Sequence, residues 1–400
     1  MRLNLQKFLK IRSLEDLRKD PFNLHINAKD NLVIFKYNQF NSDFSNKIVK
    51  ESRGIILEKG TWNIVAHPFD KFFNYGEVYA YNLSLDDSYI LEKVDGSIIK
   101  VYFYDGEWRV ATNGTIDAND ASNNDGITFA KIFFDVISKE AFDKLTTNFS
   151  PNLTYIFELV HPSNRIVVDY GGLKELVFIG LKENDGKLRD FNIHHKPIKK
   201  KYEKLFKNLP IRFVNIYGMG NVDDMFELSK LADAANALGN EFEGYVVTQI
   251  KDNLVIGRVK VKSPKYVQLH HVATGESVTN NLIRVLLENE EKEFEVYLDK
   301  LPDAVKDEYK LLKKKYFDLI EYLSKDGDYY RKKASELTRK DLALEIQIKV
   351  NRDKVGFMFT MVDNLELSAL DVINGLYKQK GVKRIKNLLI EKKNDKGYKI

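Results

Sequence analysis

Glu92-Lys93-Val94-Asp95-Gly96-Ser97 joins a strand-like segment, Tyr89-Ile90-Leu91, to the apolar-rich run Ile98-Ile99-Lys100-Val101-Tyr102-Phe103-Tyr104. Two readings compete for these six residues. Asp-Gly between strand signals marks a hairpin turn, with Lys93 as an exposed strand residue. Alternatively, a lysine held where two strands meet can be desolvated among other cations, which lowers its pKa and frees its amine as a nucleophile. In isolation the six residues favour the hairpin. What decides between the readings lies elsewhere in the chain.

Composition narrows the classes. Four hundred residues, 44% of them hydrophobic, predict two or three globular domains. The absence of cysteine excludes disulfides, thiolate metal sites and a cysteine nucleophile, and it fits a reducing cytoplasm. Met1–Lys10 lacks the continuous apolar core of a signal peptide, and no run approaches the roughly 20 apolar residues of a membrane span. A soluble, cytoplasmic protein with no membrane partner is expected. The net charge of +5 is too small to identify a nucleic-acid binder, so the position of the charge matters more than its sum. One basic cluster is His194-His195-Lys196-Pro197-Ile198-Lys199-Lys200-Lys201 with Lys204 and Lys207. A second is the segment Lys378–Ile400, with nine basic residues against two acidic ones. Each also reads as a solvated helix face or a frayed tail.

From about Asn31 to Leu269 the pattern is one of short apolar or alternating runs broken by turn residues. Strands are predicted at Leu32–Phe35, Gly54–Leu57, Trp108–Ala111, Leu153–Phe157, Leu176–Ile179, Tyr245–Val247 and Val255–Val261. Helical spacing interrupts them at Thr128–Leu145 and Val222–Leu238. Gly218-Met219-Gly220 is too short for a dinucleotide fingerprint and reads as a loop. After Thr274 the apolar period becomes three and four, over Asn280–Leu298, Asp303–Leu323, Ser335–Lys349 and Leu365–Tyr377. The predicted architecture is therefore an α+β domain of antiparallel sheets with flanking helices over residues 1–274, including an extension of about 30 residues. An all-helical domain over 275–400 follows, with the boundary near 272–280.

Four further segments join Lys93 in chain order. Glu158 follows the strand Tyr155-Ile156-Phe157, Phe178-Ile179-Gly180 sits in the next strand, and Glu243-Gly244 opens another. Last comes Val259-Lys260-Val261-Lys262. Residues two apart in a strand share a face, so Lys260 and Lys262 project into one space and require an anion or a carboxylate to answer them. A triphosphate would do so, with Lys93 facing phosphorus. Singly, each segment has an ordinary reading: lysines on an edge strand, a strand-end carboxylate with a basic partner, a turn before a strand.

Taken together, Lys93-Val94-Asp95-Gly96, Phe157-Glu158, Phe178-Ile179-Gly180, Glu243-Gly244 and Lys260-Val261-Lys262 resemble the signature segments of the covalent nucleotidyltransferase superfamily of polynucleotide ligases and mRNA capping enzymes. Ser52-Arg53-Gly54-Ile55-Ile56, Lys71-Phe72-Phe73-Asn74 and Lys262-Ser263-Pro264-Lys265-Tyr266-Val267 narrow the resemblance to the phage RNA ligase 1 family, ATP-dependent tRNA-repair ligases of T-even-like phages. The helical second domain is similar too. The resemblance implies an adenylyltransferase domain and an enzyme that joins RNA 3′-hydroxyl and 5′-phosphate ends through lysyl-adenylate and RNA-adenylate. ATP is the implied substrate and Mg²⁺ or Mn²⁺ the implied metal. The implied partner is RNA, specifically tRNA, with a polynucleotide kinase-phosphatase alongside and the host cytoplasm as location.

On that reading Lys93 is the nucleophile, and Lys260 and Lys262 balance phosphate charge and depress the pKa of Lys93. Glu243 holds the metal directly or through water, with Glu158 as a lesser candidate that instead takes the ribose hydroxyls. Arg53 and Lys71 orient pyrophosphate or the incoming 5′-phosphate, and Phe73 packs beside the nucleotide. Glu92, Gly96 and Phe178 complete the ATP site. Where the family commonly carries a basic residue, Thr112-Asn113-Gly114 offers an asparagine, which can hydrogen-bond but supplies no charge. Tyr329, Tyr330, Arg331, Lys332 and Lys333 are candidates for RNA contact from the helical domain. Zinc at His67 with His270-His271 is rejected, because adjacent strand residues face opposite ways. A DNA ligase, a GTP-using capping enzyme and a catalytically silent RNA-binding protein are the competing readings.

Overall fold

The computed structural model describes residues 3–39, 41–84, 87–123, 125–166, 168–185, 187–219, 228, 231–232, 242–263, 278–287, 303–350, 354–380 and 382–390. Most of the helix expected over Val222–Leu238 lies outside them, as do Pro264–Val267, His270-His271, residues 272–277 of the expected boundary and the last ten residues of the basic tail. Contacts divide the chain into two compact units, Met1–His270 and His271–Ile400. Among the described residues, no helix is long and apolar enough to cross a membrane.

The first unit opens with α1 (Asn4–Leu9) and α2 (Leu14–Leu17), which pack on an antiparallel sheet of β1 (His25–Lys29), β2 (Leu32–Lys36), β3 (Arg53–Glu58) and β4 (Ile64–Ala66). Helix α3 (Lys47–Glu51) precedes β3. Strand β2 is buried over four successive residues because both of its faces are covered. Val33 and Phe35 meet Leu5 and Leu17, whereas Leu32 and Ile34 meet Tyr102 and Ala111 of the second sheet. Buried Glu51 accepts the backbone N–H groups of Asn4 and Leu5, which satisfies orphan amides at the start of α1.

The second sheet has ten strands: β5 (Ser88–Glu92), β6 (Ser97–Tyr104), β7 (Glu107–Thr112), β8 (Leu153–Val160), β9 (Glu175–Glu183), β10 (Asp190–Phe191), β11 (Ile211–Phe213), β12 (Ile216–Met219), β13 (Gly244–Lys251) and β14 (Leu254–Lys262). Their order is β12-β5-β13-β14-β10-β9-β8-β6-β7, with β11 paired to β9. Every predicted strand is present. Helices α4 (Phe129–Val136), α5 (Lys139–Thr146) and α6 (Lys196–Phe206) contribute to the main apolar core, where Phe133, Phe142, Tyr155, Phe157, Phe178, Tyr202 and Phe206 meet. The single helix expected over Thr128–Leu145 is two, because the Ser138 side chain accepts a hydrogen bond from the Ala141 amide and caps a fresh start. Gly218 and Met219, expected in a loop, end strand β12 instead.

The hairpin reading of Lys93–Gly96 is overturned. Strands β5 and β6 are not neighbours; they stand second and eighth in the order, six steps apart. A flat sheet would separate them by about 29 Å at about 4.8 Å per strand, whereas the five steps from Glu92 to Ser97 reach at most about 18 Å. The sheet must therefore fold, with the two-residue β10 bridging its halves. Asp95 is no turn residue. Its Oδ2 accepts the Val168 amide at 2.7 Å, and its own N–H donates to Tyr170 Oη at 3.0 Å, so the connector is tied to the loop after β8. Gly96 is required by close approach: a Cβ there would lie 2.6 Å from the Leu159 carbonyl oxygen and 3.0 Å from Glu158 Cγ.

In the second unit, α7 (Val278–Leu287), α8 (Asp303–Lys333), α9 (Arg339–Lys349), α10 (Val355–Asp363), α11 (Ala369–Lys380) and α12 (Val382–Leu389) enclose Leu286, Tyr309, Tyr316, Leu323, Met358, Ile373 and Ile385. Helix α8 runs ten residues beyond its expected end at Leu323 and takes in Tyr329–Lys333. Helix α10 was not foreseen, since Val355-Gly356-Phe357-Met358-Phe359 is continuously apolar rather than periodic.

Gly96→Ala is expected to cost about 1–3 kcal/mol of stability, the usual range for overpacking. A urea titration of the two proteins measures this as a lower unfolding midpoint with an unchanged slope.

Candidate active site

A cavity of about 570 Å³ lies between the halves of the folded sheet. Leu91, Val246 and Lys260 line it from one half, and Ile98, Glu158 and Ile179 from the other. Strand alternation selects these faces. On β8, Tyr155, Phe157 and Leu159 enter the apolar core, so Glu158 turns to the cavity. On β14, Val259 and Val261 pack against Tyr245 and Val247, leaving Lys260 and Lys262 together on the opposite side, as the spacing predicted.

Lys93 follows β5 and is fixed by backbone pairing, its N–H donating to Gly244 O at 2.9 Å. That bond brings Glu243 against it, and Lys93 Nζ pairs with Glu243 Oε1. Lys262 Nζ is 3.8 Å from the same oxygen. Glu243 is buried, with 4% of its side chain exposed, and among the described residues its Oε2 has no hydrogen-bond partner. Gly244 sits at φ +143°, where a Cβ would fall 2.2 Å from Val261 O, so the Glu243-Gly244 pair can approach β14 only without a side chain at 244.

Arg53, Lys71, Lys93 and Lys262 gather around Lys260, and Lys36 and Arg258 also line this pocket, Arg258 paired with Asp190. Burial first, then the charges of Lys71, Lys93, Arg53 and Lys262, push the Lys260 ammonium well below the ordinary lysine range. Glu158 moves the other way. Its burial outweighs the pull of Lys93 and raises its carboxyl to about 8, with Glu243 adding to the rise and Arg53 opposing it. At neutral pH the cavity therefore holds Glu158 mostly as a neutral acid, able both to donate and to accept.

The segment Phe69–Tyr75 runs beside β14. Lys260 N–H donates to Phe73 O at 3.0 Å, Tyr75 N–H to Lys260 O at 2.8 Å, and Asn74 bridges Lys260 in parallel. Extended backbone then sends Phe72 into the cavity while Lys71 and Phe73 point to the far side. Phe72 has Arg53 Cζ 5.0 Å and Lys260 Nζ 5.3 Å from its ring centre. Phe73, expected beside the nucleotide, is 5% exposed and packs on Phe44 and Tyr79. Phe178 is likewise not brought to the cavity. A register shift between Ile156 and Phe157 leaves Ile179 unpaired, so Phe178 enters the core and Ile179 lines the pocket. Lys71, Glu243 and Lys262 stand around the cavity without lining it, whereas Arg53, Glu92, Lys93, Gly96, Glu158 and Lys260 line it directly.

Several participants were missed. Arg212 clasps Glu92 with two nitrogens, at 2.8 and 3.1 Å, and also bonds Glu175, so Glu92 is held as part of the wall. Only the pairing of β11 with β9 reveals that contact. Lys36 lines the cavity, and its Nζ lies 3.5 Å from where a Cβ on Gly114 would stand, which sets a cation beside Thr112-Asn113-Gly114. Asn113 Oδ1 and Arg53 Nη1 are buried without a hydrogen-bond partner among the described residues. Lys100 is fully buried and donates to Gly54 O, and its desolvation, with Lys36 nearby, lowers it to about 7. Of the helical-unit candidates, Tyr330 is buried, Arg331 donates to Met361 O, Asn364 O and Leu367 O, and Lys333 pairs with Glu345. Those three side chains are committed to packing, leaving Tyr329 and Lys332 on the surface.

Comparison with known proteins adds a second line. A family model described as RNA ligase matches residues 51–266. An RNA ligase of Rhodothermus phage RM378 is 26% identical over 371 residues, covering 81% of each chain. A candidate bifunctional polynucleotide kinase/RNA ligase of Autographa californica nuclear polyhedrosis virus is 26% identical over 306 residues, covering 72% of this chain and 40% of that protein. Among solved structures, an archaeal ATP-dependent RNA ligase aligns with a TM-score of 0.46 at 14% identity, over 74% of this chain and 73% of that one.

The raised Glu158 carboxyl predicts a pH signature. The unfolded chain releases this proton near the ordinary glutamate value of 4.5, while the folded chain holds it until about 8. The unfolded state binds fewer protons in that window, so stability falls as pH rises through it. Glu158→Gln cannot titrate. The melting temperature of the wild type, relative to this variant, is expected to decline between pH 5 and 8 and then level off. Parallel curves would mean that the carboxyl is ionised in the cavity.

Proposed function

The chain belongs to the RNA ligase family, and from that membership we propose that it seals RNA ends at the expense of ATP through an adenylate carried on Lys93. The observation that supports this reading is the charge excess: Lys36, Arg53, Lys71, Lys93, Lys260 and Lys262 stand in or around the cavity, where Glu92 is taken up by Arg212, Glu158 is largely neutral and Glu243 pairs with Lys93. Such an arrangement is costly by itself and is relieved by a polyanion the size of a triphosphate.

In the first step Lys93 Nζ attacks the α-phosphorus. An N–P bond forms, the bond to the bridging oxygen breaks, and pyrophosphate leaves. Glu243 Oε1 already accepts the hydrogen bond of that nitrogen and is positioned to take its proton. Lys260 and Lys262 stand on the phosphate side, and the arriving negative charge opposes the downward push that burial and the neighbouring cations exert on the Lys260 ammonium. Arg53 and Lys71 hold the outgoing pyrophosphate or the incoming 5′-phosphate, and Phe72 and Ile179 form the apolar walls. Glu158, as donor and acceptor, takes the ribose hydroxyls. In the second step an RNA 5′-phosphate displaces Lys93 from the adenylate. In the third a 3′-hydroxyl attacks the activated phosphate and AMP leaves.

A divalent cation fits this donor set. Glu243 Oε2 is a buried, unpartnered carboxylate oxygen, and Mg²⁺ or Mn²⁺ held there, directly or through water, would neutralise phosphate charge. Glu158 suits the metal less well, because binding one would first require loss of its proton. Among the described residues no three ligand side chains converge on a metal site, which fits a cation held mainly by phosphate and water. The RNA proposed is a broken tRNA bearing 5′-phosphate and 3′-hydroxyl ends. The kinase activity in the printed name of the baculovirus relative supports a companion end-healing enzyme.

Incubation with α-labelled ATP and Mg²⁺ is expected to leave label bound covalently to the wild type and none on Lys93→Ala. Adding 5′-phosphorylated RNA then discharges the label from the protein, first onto RNA-adenylate and then as free AMP when the strand is sealed. Retention from GTP alone, retention on Lys93→Ala, or sealing of DNA in preference to RNA would overturn the proposal.

A further inference from the structure

A second cavity, of about 370 Å³, abuts the first and shares Phe72 and Arg258 with it as a common wall. Of the side chains assigned to the reaction, its other walls carry Lys71. Tyr79 and Tyr81 stand on one side, Lys50 and Lys71 at its edge, and Val255–Gly257 of β14 beneath. The segment Tyr75–Tyr81 that covers it is unusual for a surface turn. Tyr75, Val78, Tyr79 and Tyr81 are 40%, 85%, 37% and 47% exposed, a concentration of apolar surface in seven residues.

The segment is rigidly placed. Tyr75 N–H donates to Lys260 O at 2.8 Å, Asn74 bonds the Glu77 carboxylate, and Ala80 N–H closes a turn on Glu77 O at 3.0 Å. Tyr81 lies flat on Gly257, where a Cβ would come within 2.5 Å of its ring, so one ring face is backed by strand and the other is free to stack. Asp70 and Asp190 in the wall of this second cavity are answered by Lys182 and Arg258, whereas Lys50 and Lys71 face rings: Lys50 Nζ is 5.1 Å from the Tyr79 ring centre, and Lys71 Nζ is 5.2 Å from that of Phe44. Aromatic faces beside unneutralised ammonium groups are the chemistry that recognises a single-stranded nucleotide, base by stacking and phosphate by charge.

We propose that this second cavity receives the 5′-phosphorylated end of the RNA strand, its terminal base stacked on Tyr79 and Tyr81 and its phosphate on Lys50 and Lys71. The proposal rests on the RNA-ligase reading of the neighbouring cavity and specifies where that reaction's second substrate enters. The phosphate that must meet the Lys93 adenylate then passes the shared Phe72 wall, from Lys71 in the second cavity to Lys260 in the first.

The test uses the full-length protein with Tyr79→Ala, Tyr81→Ala and Tyr81→Phe, none of which touches the first cavity. Covalent AMP on Lys93, formed without RNA, is expected to stay within about twofold of wild type. Fluorescence anisotropy with a short 5′-phosphorylated single-stranded RNA should show Kd rising roughly 5- to 150-fold for each alanine variant, the effect of one lost stack, and Tyr81→Phe binding like wild type. The same RNA with a 5′-hydroxyl should bind the wild type more weakly. Unchanged RNA affinity in both alanine variants, equal loss in Tyr81→Phe, or indifference to the 5′-phosphate would overturn the proposal. Loss of RNA affinity in the alanine variants of a protein that takes no AMP would leave this site standing and sink the ligase reading instead.

Discussion

Lys93-Val94-Asp95-Gly96 must bridge two strands that lie six places apart in the sheet, and the first unit is shaped around that short span. Because four residues cannot cross a flat sheet, its halves fold toward each other and a cavity opens between them. The nucleophile is placed by the same constraint. Lys93 begins the connector, Gly96 ends it in contact with Glu158, and the amide of Lys93 is bonded to the carbonyl of Gly244. Three residues from three distant parts of the chain thus meet as a consequence of one tight crossing.

The electrostatics follow from the same closure. Strand alternation on β14 turns two lysines inward, and the ladder with Phe73 and Asn74 adds Lys71 beside them. Glu243 answers Lys93 and approaches Lys262, but among the described residues no carboxylate pairs with Lys260, whose charged form is disfavoured by burial and by its neighbours. The opposite strain falls on Glu158. A fold that stores an unfavourable lysine and an unfavourable carboxyl in one pocket sacrifices stability for readiness to bind phosphate. Anion binding relieves the first and leaves the second as a neutral hydrogen-bonding group.

Much of this was legible in the sequence. The strands could be read from alternation, and the inward pairing of Lys260 with Lys262 required only the period of two. Lys93, Glu158 and Lys260 were recognised from their segments and do converge. What could not be read was anything that depends on which strand lies beside which. Asp-Gly looked like a hairpin because the turn signal is local, whereas the true partners of Asp95 are Val168 and Tyr170. In Lys71-Phe72-Phe73 the alternation was visible but not its phase, which is set by the ladder to Lys260, so Phe73 was chosen where Phe72 faces the cavity. One bulge on β9 exchanged Phe178 for Ile179. Arg212 and Lys36 carry no motif at all and emerge only from tertiary contact. In the helical unit, Tyr330, Arg331 and Lys333 looked like surface candidates until the extension of α8 placed them against α9 and α10.

The central claim is that the crossing residue Lys93, among all the lysines gathered at this cavity, carries the covalent nucleotide. Peptide mapping by mass spectrometry after incubation with ATP and Mg²⁺ tests it most directly. The account predicts the mass of one AMP on the peptide containing Lys93 and on no peptide containing Lys71, Lys260 or Lys262. An adduct on any of those three, or none on Lys93 under conditions in which the enzyme seals RNA, would contradict it.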